Sequence, residues 1–157
     1  MNVRAVAARV LDQVLGEGRS LAAALPPALD QVDPRDRGLL QELCYGVCRW
    51  QPQLQSVLDR LLERPLDPCE TTVQALLLIG LYQLHHLRIP EHAAVAETVT
   101  AARQLGKSWA ANLCNAVLRS FLRRRTELLA RIETDPAART AHPRWLLEAL
   151  QRDWPDD

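Results

Sequence analysis

The residues best equipped for chemistry in this chain lie in one stretch, and they are suited to binding rather than reaction. At about 100° per residue, Ser108, Asn112, Asn115, Arg119 and Arg123 fall within an arc of roughly 80° on one helix face. Two carboxamides and two guanidiniums in a row offer charge, fork-shaped donors and mixed donor–acceptor groups. Phosphate and base-edge contacts need those features. Lys107 precedes the row and Arg124 adjoins its end, while Arg4 and Arg9 on the first helical segment are candidates to extend it. Residues 100–131 carry seven basic groups against one acid, Glu127, whereas residues 132–157 carry six acids against three arginines. The formal net charge of zero therefore hides a local positive excess that suits a polyanion. An ordinary solvated helix face has the same composition, so charge alone does not separate the two readings.

The other reactive side chains lack partners in sequence. Cys44 and Cys48 stand at i, i+4 on an apolar face and read as buried small residues, because no CxxC or matching His pair completes a metal set. His85 and His86 point about 100° apart on a helix, so with His92 they make no evident ligand cluster. Cys69 follows Pro68 and is expected in the first turn of a helix, where the dipole can lower a thiol pKa. Its surroundings, DPCETT, provide neither a glycine-rich turn nor a nearby base. Arg35, Arg37 and Arg49 read as surface or salt-bridge residues. Nothing matches GxGxxG, a P-loop, GxSxG or HExxH. No cofactor, methyl-donor or metal site is expected, and taken alone the chain is not expected to be an enzyme.

The elements that position these groups are helical. The chain has only six glycines and no run of alternating β-branched residues, which argues for an all-α fold. Its organising stretch is residues 72–87, TVQALLLIGLYQLHHL. A helix apolar on every side must be surrounded by others, and this one is too short and too interrupted by Gln83, His85 and His86 to span a membrane. Gly80 inside it predicts the close passage of another backbone.

The first helix, residues 2–15, turns Val3, Val6, Ala7, Val10, Leu11 and Val14 inward and leaves Arg4 and Asp12 outward; Gly16 and Gly18 end it. Ser20 caps a short segment that Pro26 and Pro27 interrupt or redirect. Asp33-Pro34-Arg35-Asp36 and Asp67-Pro68-Cys69-Glu70 repeat one start signal. The first opens a helix ending near Trp50, after which Pro52 starts another, and the second opens the central helix. Pro90 begins a helix that Gly106 terminates, and the last long helix covers about 107–131. Residues 134–140 read as a linker, and His142-Pro143 starts a short amphipathic piece with Trp145, Leu146, Leu147 and Leu150. Two parts follow, 1–132 and 133–157. Four cysteines without paired spacing and no signal peptide predict a reducing, cytoplasmic setting.

Four stretches carry a resemblance: DRGLLQELCYGVCRW (36–50), LLLIGLYQLHHLRIPEHAAVAETVTAAR (76–103), NLCNAVLRSFLRR (112–124) and HPRWLLEAL (142–150). They resemble the NusB-like RNA-binding domain, and more closely its form at the N-terminus of the bacterial small-subunit rRNA cytosine-5 methyltransferases called RsmB, Sun or Fmu. The resemblance implies a NusB-like helical bundle around the central helix, with small-subunit rRNA as partner and a methyltransferase domain in cis. It implies S-adenosylmethionine only for that catalytic domain, which the family pattern places beyond Asp157. The catalytic cysteines of the family sit in Pro-Cys-type motifs there, so none of Cys44, Cys48, Cys69 or Cys114 is assigned a catalytic role. Asn115-Ala116-Val117-Leu118 is similar to the family's Asn-Gly-Val-Leu element, with Ala116 in place of Gly. In relatives this element and the arginines of the first helix lie near RNA, so the resemblance points to the same row. Two rivals remain: a stand-alone NusB-type antitermination factor binding RNA and a ribosomal protein, and a docking scaffold seated through Trp145 and Leu146. No membrane or metal partner is expected.

Overall fold

An apolar helix can be shielded on all sides only if other helices pack around it, and the computed structural model, which describes residues 1–133, is built that way. The central helix α4 spans Thr71–His86 and is buried from Val73 to Leu84 except at Gln74. It packs against α1 (Val3–Leu11), α3 (Arg37–Leu61), α5 (Glu91–Gln104) and α6 (Ser108–Glu133), while α2 (Leu21–Leu29) lies against α1 and α3. No strand occurs among the described residues. The expected all-α, NusB-like bundle around a central apolar helix is the observed architecture. No described helix is long and apolar enough to cross a membrane.

The first helix is enclosed more fully than its pattern predicts. Seven of the nine residues of α1 are buried, so its division into inward and outward faces does not hold. Arg4 is half-buried and donates from Nε to Gln83 Oε1 at 2.9 Å, and Asp12 accepts from the Thr71 hydroxyl. These bonds tie opposite ends of α1 to opposite ends of α4, so the two helices run antiparallel. Asn2 caps α1, accepting from the Ala5 N–H at 3.0 Å and donating from Nδ2 to the Glu97 carbonyl at 2.9 Å. The chain leaves α1 through a π turn, Asp12–Gly16.

Proline stops neither of the two helices it was expected to break. Ser20 caps α2 through its hydroxyl, but the helix continues through Pro26 and Pro27. Both prolines are exposed, as are Ala22 and Ala23, whose carbonyls lose their donors four residues on; water can serve those carbonyls instead. Pro52 lies inside α3, which is one helix of 25 residues, about 37 Å long. One missing N–H is outweighed because Leu43, Cys44 and Val47 continue into Leu54, Val57 and Leu58 as a single buried stripe.

The two Asp-Pro segments behave alike, but each closes a separate turn ahead of its helix. Asp33 Oδ1 accepts from the Arg35 N–H at 3.1 Å and Asp67 Oδ1 from the Cys69 N–H at 2.9 Å; the helices begin only at Arg37 and Thr71. The end of α5 follows the expected glycine rule. Gly106, at φ 75°, donates to the Arg103 carbonyl and Lys107 to that of Ala102, which is a Schellman closure.

Gly80 faces a side chain rather than a backbone, since a Cβ there would stand 2.8 Å from both Cδ atoms of Leu118. A tighter approach occurs at Gly46, where a Cβ would overlap the Tyr82 ring. The linker and amphipathic piece read at 134–157, and with them the second part of the chain, lie outside the described residues.

Candidate nucleic-acid interface

Helix α6 buries Ala110, Cys114, Val117, Leu118, Phe121 and Leu128, and so turns its opposite face outward. Ser108, Asn112, Arg119 and Arg123 are exposed there, and Asn115 is half-buried. Arg119 Nε donates to Asn115 Oδ1 at 2.9 Å. That bond uses the amide oxygen, so the Asn115 NH2 group and the two terminal nitrogens of Arg119 remain as donors. Trp109 sits at the edge of the row with half its surface exposed, at 50%.

The positive excess of the segment is answered in part, by Glu70 and Glu91 from other elements and by its own Glu127. Lys107 Nζ lies 3.0 Å from Glu70 Oε2, and Arg124 and Arg131 each lie 3.5 Å from Glu127. Arg125 pairs with Glu91 at 3.3 Å, donates to the Leu84 carbonyl at 2.9 Å, and lies over the Phe121 ring. It therefore closes the C-terminal end of α4, where carbonyls lack helical partners. Among the described residues, Arg103, Arg119 and Arg123 are the cations of this segment without an ion pair.

The remaining candidates stand apart from the row. Arg4 belongs to a buried chain of bonds: it donates to Gln83, which donates to Thr98 Oγ1 at 3.1 Å, and Thr98 donates to the Ala94 carbonyl at 2.7 Å. Burial lowers the Arg4 pKa, against the opposing pull of Glu97 and Asp36. Arg9 is exposed in a groove between α1 and α2 that Arg19 also lines. Arg4 attaches near the C-terminal end of α4 and Lys107 at its N-terminal end, so these two cations mark opposite ends of the bundle.

Two grooves flank the loop between α3 and α4. One, of about 560 Å³, lies between residues 61–66 and α6; Leu61, Leu62, Leu66, Leu113 and Val117 line it together with Arg64 and Arg123. The other, of about 400 Å³, is lined by Gln51, Gln55, Gln74 and Thr71, with Leu15 at its edge. The first groove could have been suspected from the leucines flanking Glu63-Arg64-Pro65, but only folding brings them to α6.

Burial pushes Cys44 and Cys114 up to about 12 and also raises Cys48. Cys69 precedes α4 rather than occupying its first turn, and its hydrogen bond with Asp67 raises its pKa, the reverse of the expected dipole effect. His86 stacks on Trp50 and Tyr82, with His85 against its edge. Among the described residues no three His, Cys, Asp or Glu side chains converge as a metal site.

Comparison with known proteins gives this geometry a context. A profile of the NusB family matches residues 1–123. A protein from Pseudomonas putida named ribosomal RNA small subunit methyltransferase B is 54% identical over 156 residues, covering 99% of this chain and 36% of the relative. Proteins of the same name from Pseudomonas syringae pv. tomato and Vibrio vulnificus are 51% and 46% identical, over 99% of this chain and 35% and 37% of their own lengths. The chain thus spans a little over a third of the length of the curated relatives it matches.

Proposed function

This chain belongs to the NusB family, and on that premise we propose that it is the RNA-binding part of a small-subunit rRNA methyltransferase, acting in the cytoplasm. In this reading the outer face of α6 holds rRNA so that methylation, on cytosine C5 as the sequence resemblance implies, takes place elsewhere in the enzyme. The observation that carries it is the pair Arg119 and Arg123, both exposed and without an acidic partner among the described residues, in line with Asn112 and Asn115. Guanidiniums left free in this way can take phosphate oxygens, while the amides can address base edges. The names of the relatives supply the class of RNA.

The described residues do not fit a methyl donor. They form helices and loops, without the strand-to-helix glycine turn of a Rossmann-type donor site. No methyl-transfer step is assigned to them.

The test is binding of small-subunit rRNA fragments at low salt by the chain and by its Arg119→Glu/Arg123→Glu variant. Both residues are exposed, so the variant should keep its helical circular dichroism while losing measurable affinity. Unchanged affinity would refute the assignment of this face. A preference for a regulatory RNA, strengthened by a ribosomal protein, would instead favour a stand-alone antitermination factor.

A further inference from the structure

We infer that the groove between α6 and residues 61–66 is a nucleobase site, taking an unstacked base of single-stranded RNA; this rests on the reading of α6 as the RNA face. The groove runs directly beside the row, and Arg123 belongs to both. Leu62, Leu66, Leu113 and Val117 give it an apolar lining, Glu63 and Ser120 also line it, and its volume of about 560 Å³ is large enough for a nucleotide. Arg64 and Arg123 both line it, are exposed, and have no ion pair among the described residues. A largely apolar slot with two guanidiniums against the one Glu63 carboxylate keeps a positive excess, which complements a planar base attached to a phosphate.

Trp109 lies one turn before Leu113 on the same side of α6, and half of its surface is exposed, at 50%. Bases stack on indole faces with little regard to sequence. A duplex keeps its bases stacked internally and cannot fill either position, so the two features together select a single strand. Ala116 is exposed and lines the groove, so a bulkier side chain there would take up part of its volume.

The experiment uses the full chain, a short single-stranded RNA carrying one 2-aminopurine, and the duplex of the same sequence. The expected result is a change in 2-aminopurine fluorescence with the single strand and much weaker binding of the duplex. Trp109→Ala and Ala116→Phe should each weaken single-strand binding by roughly 5- to 100-fold, the range that base–aromatic stacking covers. Ala116→Phe should also abolish the fluorescence change. If that variant fails to fold, Arg64→Glu, altered at an exposed residue that lines the groove, takes its place and should likewise weaken single-strand binding. Equal affinity for duplex and single strand would overturn the inference. So would unaltered binding by both variants while Arg119→Glu/Arg123→Glu removes it, a result that leaves the RNA face itself standing. Absence of any RNA binding at low salt would overturn both readings and leave the groove to a protein side chain.

Discussion

Lowering the pH protonates His86 in the unfolded chain well before it does so in the fold. Its ring lies 4.6 Å from that of Trp50 and 5.1 Å from that of Tyr82, centroid to centroid, and Nε2 is 2.8 Å from Gln53 Oε1. Burial, with a smaller contribution from neighbouring His85, pushes its pKa down from 6.5 to about 4. Above pH 6.5 the ring is neutral in both states and the domain has its full stability. Between 6.5 and about 4 the unfolded chain takes up a proton that the fold refuses, so stability falls as pH falls. Below about 4 both states are protonated and this loss is complete. A shift of that size corresponds to about 3 kcal/mol, and partial solvent access to the ring reduces it to about 2 kcal/mol. The assay is urea denaturation across this range for the chain and for His86→Phe, which keeps an aromatic ring without a titrating nitrogen. Groups common to both proteins, His85 included, largely cancel in the difference. The gap between the two stability curves should change by about 2 kcal/mol over the window. Parallel curves, or a His86 NMR titration with its midpoint at the ordinary value of 6.5, would refute the reasoning.

Two further outcomes follow from packing. Gly46→Ala should destabilise the fold by about 2–3 kcal/mol, seen as a lower Tm, because the added methyl displaces the Tyr82 ring and with it the 2.6 Å bond from Tyr82 to Glu42. Gln83→Leu should cost about 2–4 kcal/mol in chemical denaturation, since it leaves the half-buried Arg4 guanidinium without its acceptor and Thr98 without its donor; a loss under about 0.5 kcal/mol would mean that water replaces the amide.

Local pattern made much of this fold legible. The central helix announces itself because no polar stripe interrupts residues 75–82, and Gly106 marks the end of α5 because only its left-handed backbone completes the closure. The periodicity of α6 likewise separates its buried and exposed faces. What stayed hidden depends on partners distant in sequence. Pro52 reads as a boundary on propensity, yet packing against α1, α4 and α6 carries α3 through it. Arg125 counts as surface charge until Glu91 and the Leu84 carbonyl are brought to it. The stack of Trp50 on His86 and the groove beside α6 each need two helices to meet, and no single segment encodes either.

The pairing of the cations on α6 has a consequence in the language of counterions. A nucleic acid gains free energy from a protein by releasing condensed ions, one for each phosphate neutralised. Seven cations in residues 100–131 suggest a ligand gripped mainly by charge. With Lys107 and Arg125 facing one acid each and Arg124 and Arg131 sharing Glu127, the proposed RNA face would release about three or four ions, giving a log–log salt slope of about −2 to −3 for a single strand. In the proposed reading such a surface holds any polyanion loosely, the indole of Trp109 adds stacking without regard to sequence, and discrimination between bases falls to the amides of Asn112 and Asn115. On that proposal charge brings the strand to α6, and the amides decide which sequence stays.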